Sequence, residues 1–291
     1  MTSLVHTYAY LLRCPDDQSV VRVQSNDFLE CKNCSRTFAI LAHNCIELLP
    51  KEPYKPPSTY QNAHEERFFA YYNQLSHAKF KASSNAIAWG APERISVKAH
   101  RRKLSQIAQL IASIKESGKE SDSIVCDVSA GAGYFSLPLS ASAKLVVNCD
   151  LDVTNLNYVM NKATRATRNN ILFVRCDLFA SPFAENCFDT MICTDTLIYG
   201  DLMARRFLSA IVRSLANNGI AWVDFYNRLH RNPFHAPYMV GYMRRECERF
   251  LDGIECLSYS YQGFHQELGG KLWWLIPATR HIFRLSKVGV D

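Results

Sequence analysis

A chain of 291 residues, 48% of them hydrophobic, has room for about two domains, or for one large domain with an appendage, and its apolar content excludes disorder as the main state. No run approaches about 18 consecutive apolar residues, which excludes a spanning helix of the usual kind. The net charge of +6 arises mainly within residues 51–120, where Arg94, Lys98, Arg101, Arg102 and Lys103 cluster. Such a run reads first as a solvated helix face and second as a grip on an anionic substrate or a nucleic-acid backbone, and the overall balance is too mild to demand nucleic acid. Met1–His6 lacks the basic and apolar regions of an export signal, so a cytoplasmic chain without a membrane partner is expected.

The cysteines number eleven, and an odd count without an export signal argues against a disulfide framework. They fall into two groups. Cys126, Cys149, Cys176 and Cys193 sit at or near the ends of apolar runs, where a thiol acts as a small core hydrophobe. Cys14, Cys31, Cys34 and Cys45 lie in the first fifty residues, and only this group suggests a metal.

Residues 1–50 read as a small β-rich module. Cys31-Lys32-Asn33-Cys34 is a C-x-x-C pair, and Cys14-Pro15-Asp16-Asp17 has the same spacing with Asp17 where a second cysteine is expected. Two such knuckles close a tetrahedral zinc site when all four ligands are present. The segment resembles a zinc ribbon, including the closing run Ile46-Glu47-Leu48-Leu49-Pro50. The resemblance implies a structural Zn²⁺ on Cys14, Cys31 and Cys34, with Asp17 as an oxygen ligand. His43 or Cys45 is an alternative fourth ligand, and an empty ribbon that folds on its apolar residues is the remaining reading. A forty-residue module lies near the size at which a metal staple is needed.

Residues 51–103 form a linker and cap. Pro50, Pro53, Pro56 and Pro57 make a stiff, extended stretch. Helical spacing then brings Phe68, Phe69, Tyr72 and Leu75 close to one face over Ala63–Phe80, and a second helix runs from Val97 to a stop at Gly118. The turn-rich loop Ala88–Arg94 lies between them. The aromatic helix and this loop are expected either to roof a site or to pack between the two ends of the chain.

Over residues 104–291 the pattern alternates. Apolar runs at Ile124–Asp127, Lys144–Asp150, Ile171–Cys176, Phe188–Thr194 and Ile220–Phe225 are separated by helical stretches at Tyr134–Ser140, Asn155–Arg168 and Asp201–Asn217. Strands alternating with helices predict a parallel sheet covered on both faces. A helix near Tyr238–Leu251 and a final antiparallel pair, Cys256–Gly263 with Thr279–Lys287, complete the reading.

The informative segment is Cys126-Asp127-Val128-Ser129-Ala130-Gly131-Ala132-Gly133-Tyr134, in which a strand ends, a loop of small residues follows and a helix begins. Small residues let backbone N–H groups approach a ligand closely. A nucleotide P-loop is excluded because no Gly-Lys-Ser/Thr follows. A dinucleotide fingerprint fits poorly, because Asp127 precedes the loop and Ser129 occupies its first glycine position. Asp150 ends the next run and Asp177 follows the third, ahead of Ser181–Asp189 and the fourth. Three acids at three consecutive strand ends exceed what helix capping alone explains.

That order resembles the class I S-adenosylmethionine-dependent methyltransferases. The resemblance implies a Rossmann-like, seven-stranded, mostly parallel sheet with an antiparallel C-terminal strand, and S-adenosyl-L-methionine as cofactor. It assigns Asp127, Ser129, Gly131 and Gly133 to the amino-acid part of the cofactor, and Asp150 with Leu151 to the ribose. It assigns Asp177 and Leu178 to the adenine, and Thr194 to the methionine end. Asp152, two residues beyond Asp150, is expected to turn into a helix cap instead. Zinc ribbons of the N-terminal kind also precede some methyltransferase domains, including those of bacterial rRNA guanine methyltransferases.

The acceptor is less legible. Thr194-Asp195-Thr196-Leu197-Ile198-Tyr199 lacks the Asn/Asp-Pro-Pro-aromatic motif of enzymes that methylate exocyclic base amines, and Cys193 reads as core rather than as a nucleophile. His230 and His235 are candidate bases in the loop after the fifth strand, and Asp195 and Tyr199 are candidate acceptor contacts. Three functions follow in order: methylation of an O, N or C nucleophile on a small molecule; methylation of rRNA or tRNA gripped by ribbon and basic cap; and a non-catalytic module that keeps the fold for partner contact.

Overall fold

The computed structural model describes residues 3–56, 60, 63–80, 87–88, 90–116, 122–229, 240–255, 257–264 and 280–288. Four short strands come first: β1 (Val21–Val23), β2 (Phe28–Cys31), β3 (Thr37–Leu41) and β4 (Cys45–Leu48), after a one-turn helix α1 (Leu4–Tyr8) capped by the Ser3 side chain. Two helices follow, α2 (Ala63–His77) and α3 (Val97–Glu116). The alternating part contains β5 (Ile124–Val128), α4 (Ser136–Leu139), β6 (Leu145–Asp150), α5 (Val153–Arg165), β7 (Ile171–Cys176), β8 (Phe188–Cys193), α6 (Asp201–Ser214) and β9 (Leu215–Tyr226). It ends in α7 (Arg244–Asp252), β10 (Leu257–Phe264) and β11 (Arg280–Lys287).

All described strands join one sheet in the order β1-β2-β3-β4-β7-β6-β5-β8-β9-β11-β10. The run from β4 to β9 is parallel, whereas β11 is antiparallel to both β9 and β10. The seven strands from β7 to β10 form the expected Rossmann-like sheet. The sheet as a whole has eleven strands rather than seven, because Cys45–Leu48 pairs in parallel with Phe173–Cys176 and so adds the N-terminal strands to its edge. Every residue of β6 and β7 is buried, which is why these runs are mostly apolar instead of alternating.

Several boundaries shift for local reasons. The helix expected to reach Asn217 stops at Ser214, since Leu215 already pairs with Phe188. Asn218 then takes φ +60°, and pairing resumes at Ile220 opposite Thr190. Helix α4 is a single turn that carries Pro138, whose missing N–H is harmless so close to a helix start. Among the described residues, no helix is long and apolar enough to cross a membrane. Trp89, Gly118, Cys256 and the histidine candidates His230 and His235 lie outside the described residues.

Candidate functional site

The parallel strands β5, β6 and β7 are neighbours, so their C-terminal ends bring Asp127, Asp150 and Asp177 to one edge of the sheet. After β5 the chain must turn within a few residues, and three of them adopt left-handed backbone: Ser129 at φ +53°, Gly131 at +54° and Gly133 at +67°. At Gly133 packing also forbids a side chain. A Cβ there would meet Cγ1 and Cγ2 of Val159, on the buried face of α5, at 2.6 and 2.8 Å.

Asp127 accepts hydrogen bonds on Oδ2 from the Ser136 N–H (2.9 Å) and hydroxyl (2.6 Å), and Asn148 Nδ2 donates in turn to that hydroxyl at 2.8 Å. It therefore ties the end of β5 to the start of α4 and fixes the loop between them. Asp150 joins the first loop to the second. Its Oδ2 accepts from the Gly131 N–H (2.8 Å) and Asn155 Nδ2 (3.2 Å), and its Oδ1 accepts from the Asp152 N–H (2.8 Å). Burial raises both carboxyls to about 7, against the pull of these donors. Asp152 caps α5 through the Thr154 N–H, as its sequence position suggests. Leu151 is half-buried, and its carbonyl accepts from Arg175 Nε at 3.2 Å.

Asp177 is met from above. Its Oδ1 accepts from the Phe179 N–H at 2.9 Å, and the Tyr72 hydroxyl of α2 donates to its Oδ2. The same Tyr72 oxygen accepts from the Tyr54 N–H at 2.8 Å. Helix α2 thus lies over the end of β7, with Phe68 stacked on Tyr199 at 4.6 Å and Tyr54 stacked on Phe179 at 4.2 Å. Two residues before Asp177, Arg175 is fully buried. Its Nη2 donates to the Leu75 and Ala78 carbonyls at 2.9 and 2.7 Å, at the C-terminal end of α2, while its Nη1 pairs with Glu47 of β4. The aromatic face that periodicity marked on α2 is therefore seated directly over the ends of β7 and β8.

Beyond β8 the structure assembles a charged array that sequence reasoning found only in part. Asp195, at φ +63°, donates its N–H to Asp224 Oδ1 (2.8 Å) and accepts from Arg280 on Oδ1 and from Lys103 on Oδ2 (2.8 Å). Arg280, only 2% exposed, divides itself between Asp195 and Asp224 (2.7 Å), and its guanidinium lies 4.1 Å from the Tyr226 ring centroid. Burial works against the charge of Arg280, but the two carboxylates outweigh it and raise its pKa. Both oxygens of Asp195 are engaged, so this carboxylate is not a free base. Thr194, next to Asp195, is half-buried, as is Tyr199 under Phe68. Asp224 and Arg280 escaped notice because each lies inside a strand pattern; a charge within an apolar run was the available signal.

A second cluster lies at the far end of the sheet. Ligand atoms of Cys14, Asp17, Cys31 and Cys34 all fall within 4.8 Å of one another. The two turns that carry them match: the Gln18 N–H bonds to the Cys14 carbonyl and the Ser35 N–H to that of Cys31, with φ of +61° at Gln18 and +57° at Ser35. Asp17 therefore occupies the place that Cys34 holds in the other turn. His43 instead approaches Thr164 Oγ1 at 3.4 Å, and Cys45 is buried in β4 opposite Phe173, so neither joins the cluster.

Residues 126–223 match the family model described as a methyltransferase domain, whereas no curated protein matches the chain. Among solved structures, a magnesium protoporphyrin IX methyltransferase from Synechocystis with bound S-adenosylmethionine is 17% identical, with a TM-score of 0.52 over 80% of this chain and 100% of that one. A phosphoethanolamine N-methyltransferase from Haemonchus contortus, solved with phosphoethanolamine and S-adenosylhomocysteine, is 15% identical, with a TM-score of 0.55 over 82% of this chain and 52% of that one. The N-methyltransferase NodS of Bradyrhizobium japonicum is 15% identical, with a TM-score of 0.50 over 65% and 97%. At these identities the likeness is one of fold. From β5 to β9, then, the chain bears the sequence signature of a methyltransferase domain and has the Rossmann-like methyltransferase fold.

Proposed function

We propose that the chain is an S-adenosylmethionine-dependent methyltransferase acting on an O, N or C nucleophile of a small-molecule acceptor. The observation that carries the reading is the placement of Asp150, whose carboxylate stands between the loops after β5 and β6 and bonds to Gly131 of the first. Bound there, the cofactor supplies an electrophilic methyl group on a sulfonium, and the protein's work is to position it and the acceptor. Asp150 accepts from the ribose hydroxyls beside Leu151, and Leu178 and Asp177 flank the adenine. The loop Ser129–Gly133 and Thr194 face the amino-acid end. Helix α2 excludes water from above through Phe68, Phe69 and Tyr72. The small-molecule choice is supported by the acceptors named for the protoporphyrin and phosphoethanolamine enzymes. Titration calorimetry with S-adenosylhomocysteine checks the reading: micromolar binding is expected and is abolished in Asp150→Ala, and a wild-type protein that does not bind refutes it.

A second reading, methylation of rRNA or tRNA, is favoured by the exposed Arg94, Lys98 and Arg101 of the cap. Phosphate contacts there require RNA affinity to fall steeply as salt rises, and an absent or salt-independent interaction leaves the small-molecule acceptor in place.

We also propose that Cys14, Cys31, Cys34 and Asp17 hold a structural zinc. Two thiolates at about 2.3 Å on one tetrahedral zinc stand about 3.8 Å apart, and Cys14 and Cys34 Sγ are 3.8 Å apart. Each Asp17 oxygen is 3.6 Å from Cys31 Sγ, as an oxygen and a sulfur sharing that ion require. Outer donors are in place as well, because the Ser19 N–H and Asn33 Nδ2 hold the Asp17 carboxylate at 2.9 and 3.0 Å. One zinc per chain is expected by elemental analysis and none in Cys31→Ser; a wild-type protein purified with zinc in the medium that carries no metal refutes the assignment.

A further inference from the structure

Lys103 faces inward toward the charged array, whereas Arg94, Lys98 and Arg101 of the same basic run are exposed. It projects from α3 with a side chain only 15% exposed, and its ammonium lies 4.9 Å from the ring centroid of Tyr134, the residue that follows Gly133. Its charge bears on three acids. It bonds to Asp195 at 2.8 Å, and it counters the effect of burial on both Asp127 and Asp224. An ammonium has three donors, and among the described residues this one has a single acceptor, Asp195 Oδ2. Arg280, the other cation of the array, is closed to a ligand, being buried and divided between two carboxylates. One turn earlier on α3, His100 bonds through Nδ1 to the Tyr134 hydroxyl at 3.2 Å, so this end of the helix is already seated on the glycine loop.

A cofactor lying over that loop carries an α-carboxylate at its amino-acid end. Asp127, Asp195 and Asp224 repel that group, and it needs a cation with donors to spare. We propose that Lys103 is the cofactor's carboxylate ligand, bridging the α-carboxylate and Asp195 and thereby fastening α3 over the occupied site. The proposal rests on the methyltransferase reading and makes Lys103 a binding residue for the cofactor rather than a part of the solvated basic face.

The experiment compares two ligands that differ only in the carboxylate: S-adenosylhomocysteine and its decarboxylated amine, S-adenosyl-3-thiopropylamine. A charge-assisted hydrogen bond to this group corresponds to about 10–100-fold in affinity. Lys103→Gln is expected to weaken S-adenosylhomocysteine by that factor and to leave the amine within about twofold. Lys103→Arg keeps the charge and is expected to retain most of the affinity. Lys98→Gln, on the exposed part of the same helix, is expected to change neither ligand. Equal losses for both ligands in Lys103→Gln overturn the proposal in favour of a purely structural role, as does no loss for either. A wild-type protein that binds neither ligand overturns the cofactor reading and the proposal together, whereas wild-type binding with an unaffected Lys103→Gln overturns the proposal alone.

Discussion

Gly133→Ala isolates what the glycine loop demands of the sequence. Two costs are separable because a second glycine shares one of them. Gly133 has φ +67° and Gly90 has φ +70°, but a Cβ on Gly90 meets nothing within 4 Å, whereas on Gly133 it runs into both Val159 methyls at 2.6 and 2.8 Å. Left-handed backbone costs an L-residue about 1–2 kcal/mol, partly offset by the reduced freedom of alanine in the unfolded chain. Gly90→Ala should therefore cost about 1 kcal/mol. Val159 is fully buried and its Cβ lies 3.3 Å from the added atom, so rotating the side chain leaves one branch in the way. Overpacking of this kind adds about 1–3 kcal/mol, which brings Gly133→Ala to about 2–4 kcal/mol. In Gly133→Ala/Val159→Ala the new methyl enters the space that Val159 vacates. The urea-unfolding cycle over the four proteins should then show a favourable coupling of about 1–3 kcal/mol. A Gly133→Ala cost equal to that of Gly90→Ala, or a coupling within about 0.5 kcal/mol of zero, refutes the steric part of this account.

Two more outcomes follow from buried charge. Asp150 has its carboxyl raised by burial from 3.8 to about 7 without ligand. Because the folded value lies above the unfolded one, its protonated form favours folding below pH 3.8, and that contribution is lost as pH rises through about 7. Ribose hydroxyls donate to the charged form, so S-adenosylhomocysteine should release a proton on binding near pH 6 and bind more weakly at pH 6 than at 7.5. Calorimetry in buffers of different ionisation enthalpy reads the proton, and a pH-independent affinity refutes the contact. Arg175→Met strands the Leu75, Ala78 and Leu151 carbonyls and the Glu47 carboxylate, and should cost about 3–5 kcal/mol in urea unfolding. Lysine at this position should recover only part of that loss, because an ammonium has too few donors in the wrong geometry for four acceptors; a methionine variant within 1 kcal/mol of wild type removes Arg175 from its proposed role.

The parts of this molecule that were legible in its sequence are those set by local physics. Period and length identified β7 to the residue, because a strand buried on both faces is a mostly apolar run, here interrupted only by Arg175. The three acids at consecutive strand ends were legible because parallel topology turns a sequence rhythm into a shared edge. The register between Cys45–Leu48 and β7 had no such signature. Strand addition is a backbone event, and Cys-Ile-Glu-Leu carries no side-chain mark of which edge it joins. The partners that specify it are scattered: Arg175 is a charge within an apolar run, but nothing in its segment points to Glu47, 128 residues away.

That pairing bears on how the candidate site is held. Arg175 and Asp177 project from the end of β7 two residues apart, so both point to the side on which α2 lies. Arg175 grips the C-terminal end of α2 and reaches the Leu151 carbonyl beside Asp150, while Asp177 is bonded to Tyr72 in the middle of the same helix. Glu47, from the N-terminal strands, supplies the counter-charge that lets Arg175 stay buried. The N-terminal module is thus joined to the roof of the site through one guanidinium. Displacing that module removes the Glu47 contact, which supports the Arg175 grip that, with Tyr72–Asp177 and Phe68–Tyr199, seats α2 over the ends of β7 and β8. A chain whose N-terminal strands are displaced should therefore lose affinity at the β7 side of the site while the Gly131–Asp150 joint, built from the loop after β5, the end of β6 and α5, stays intact.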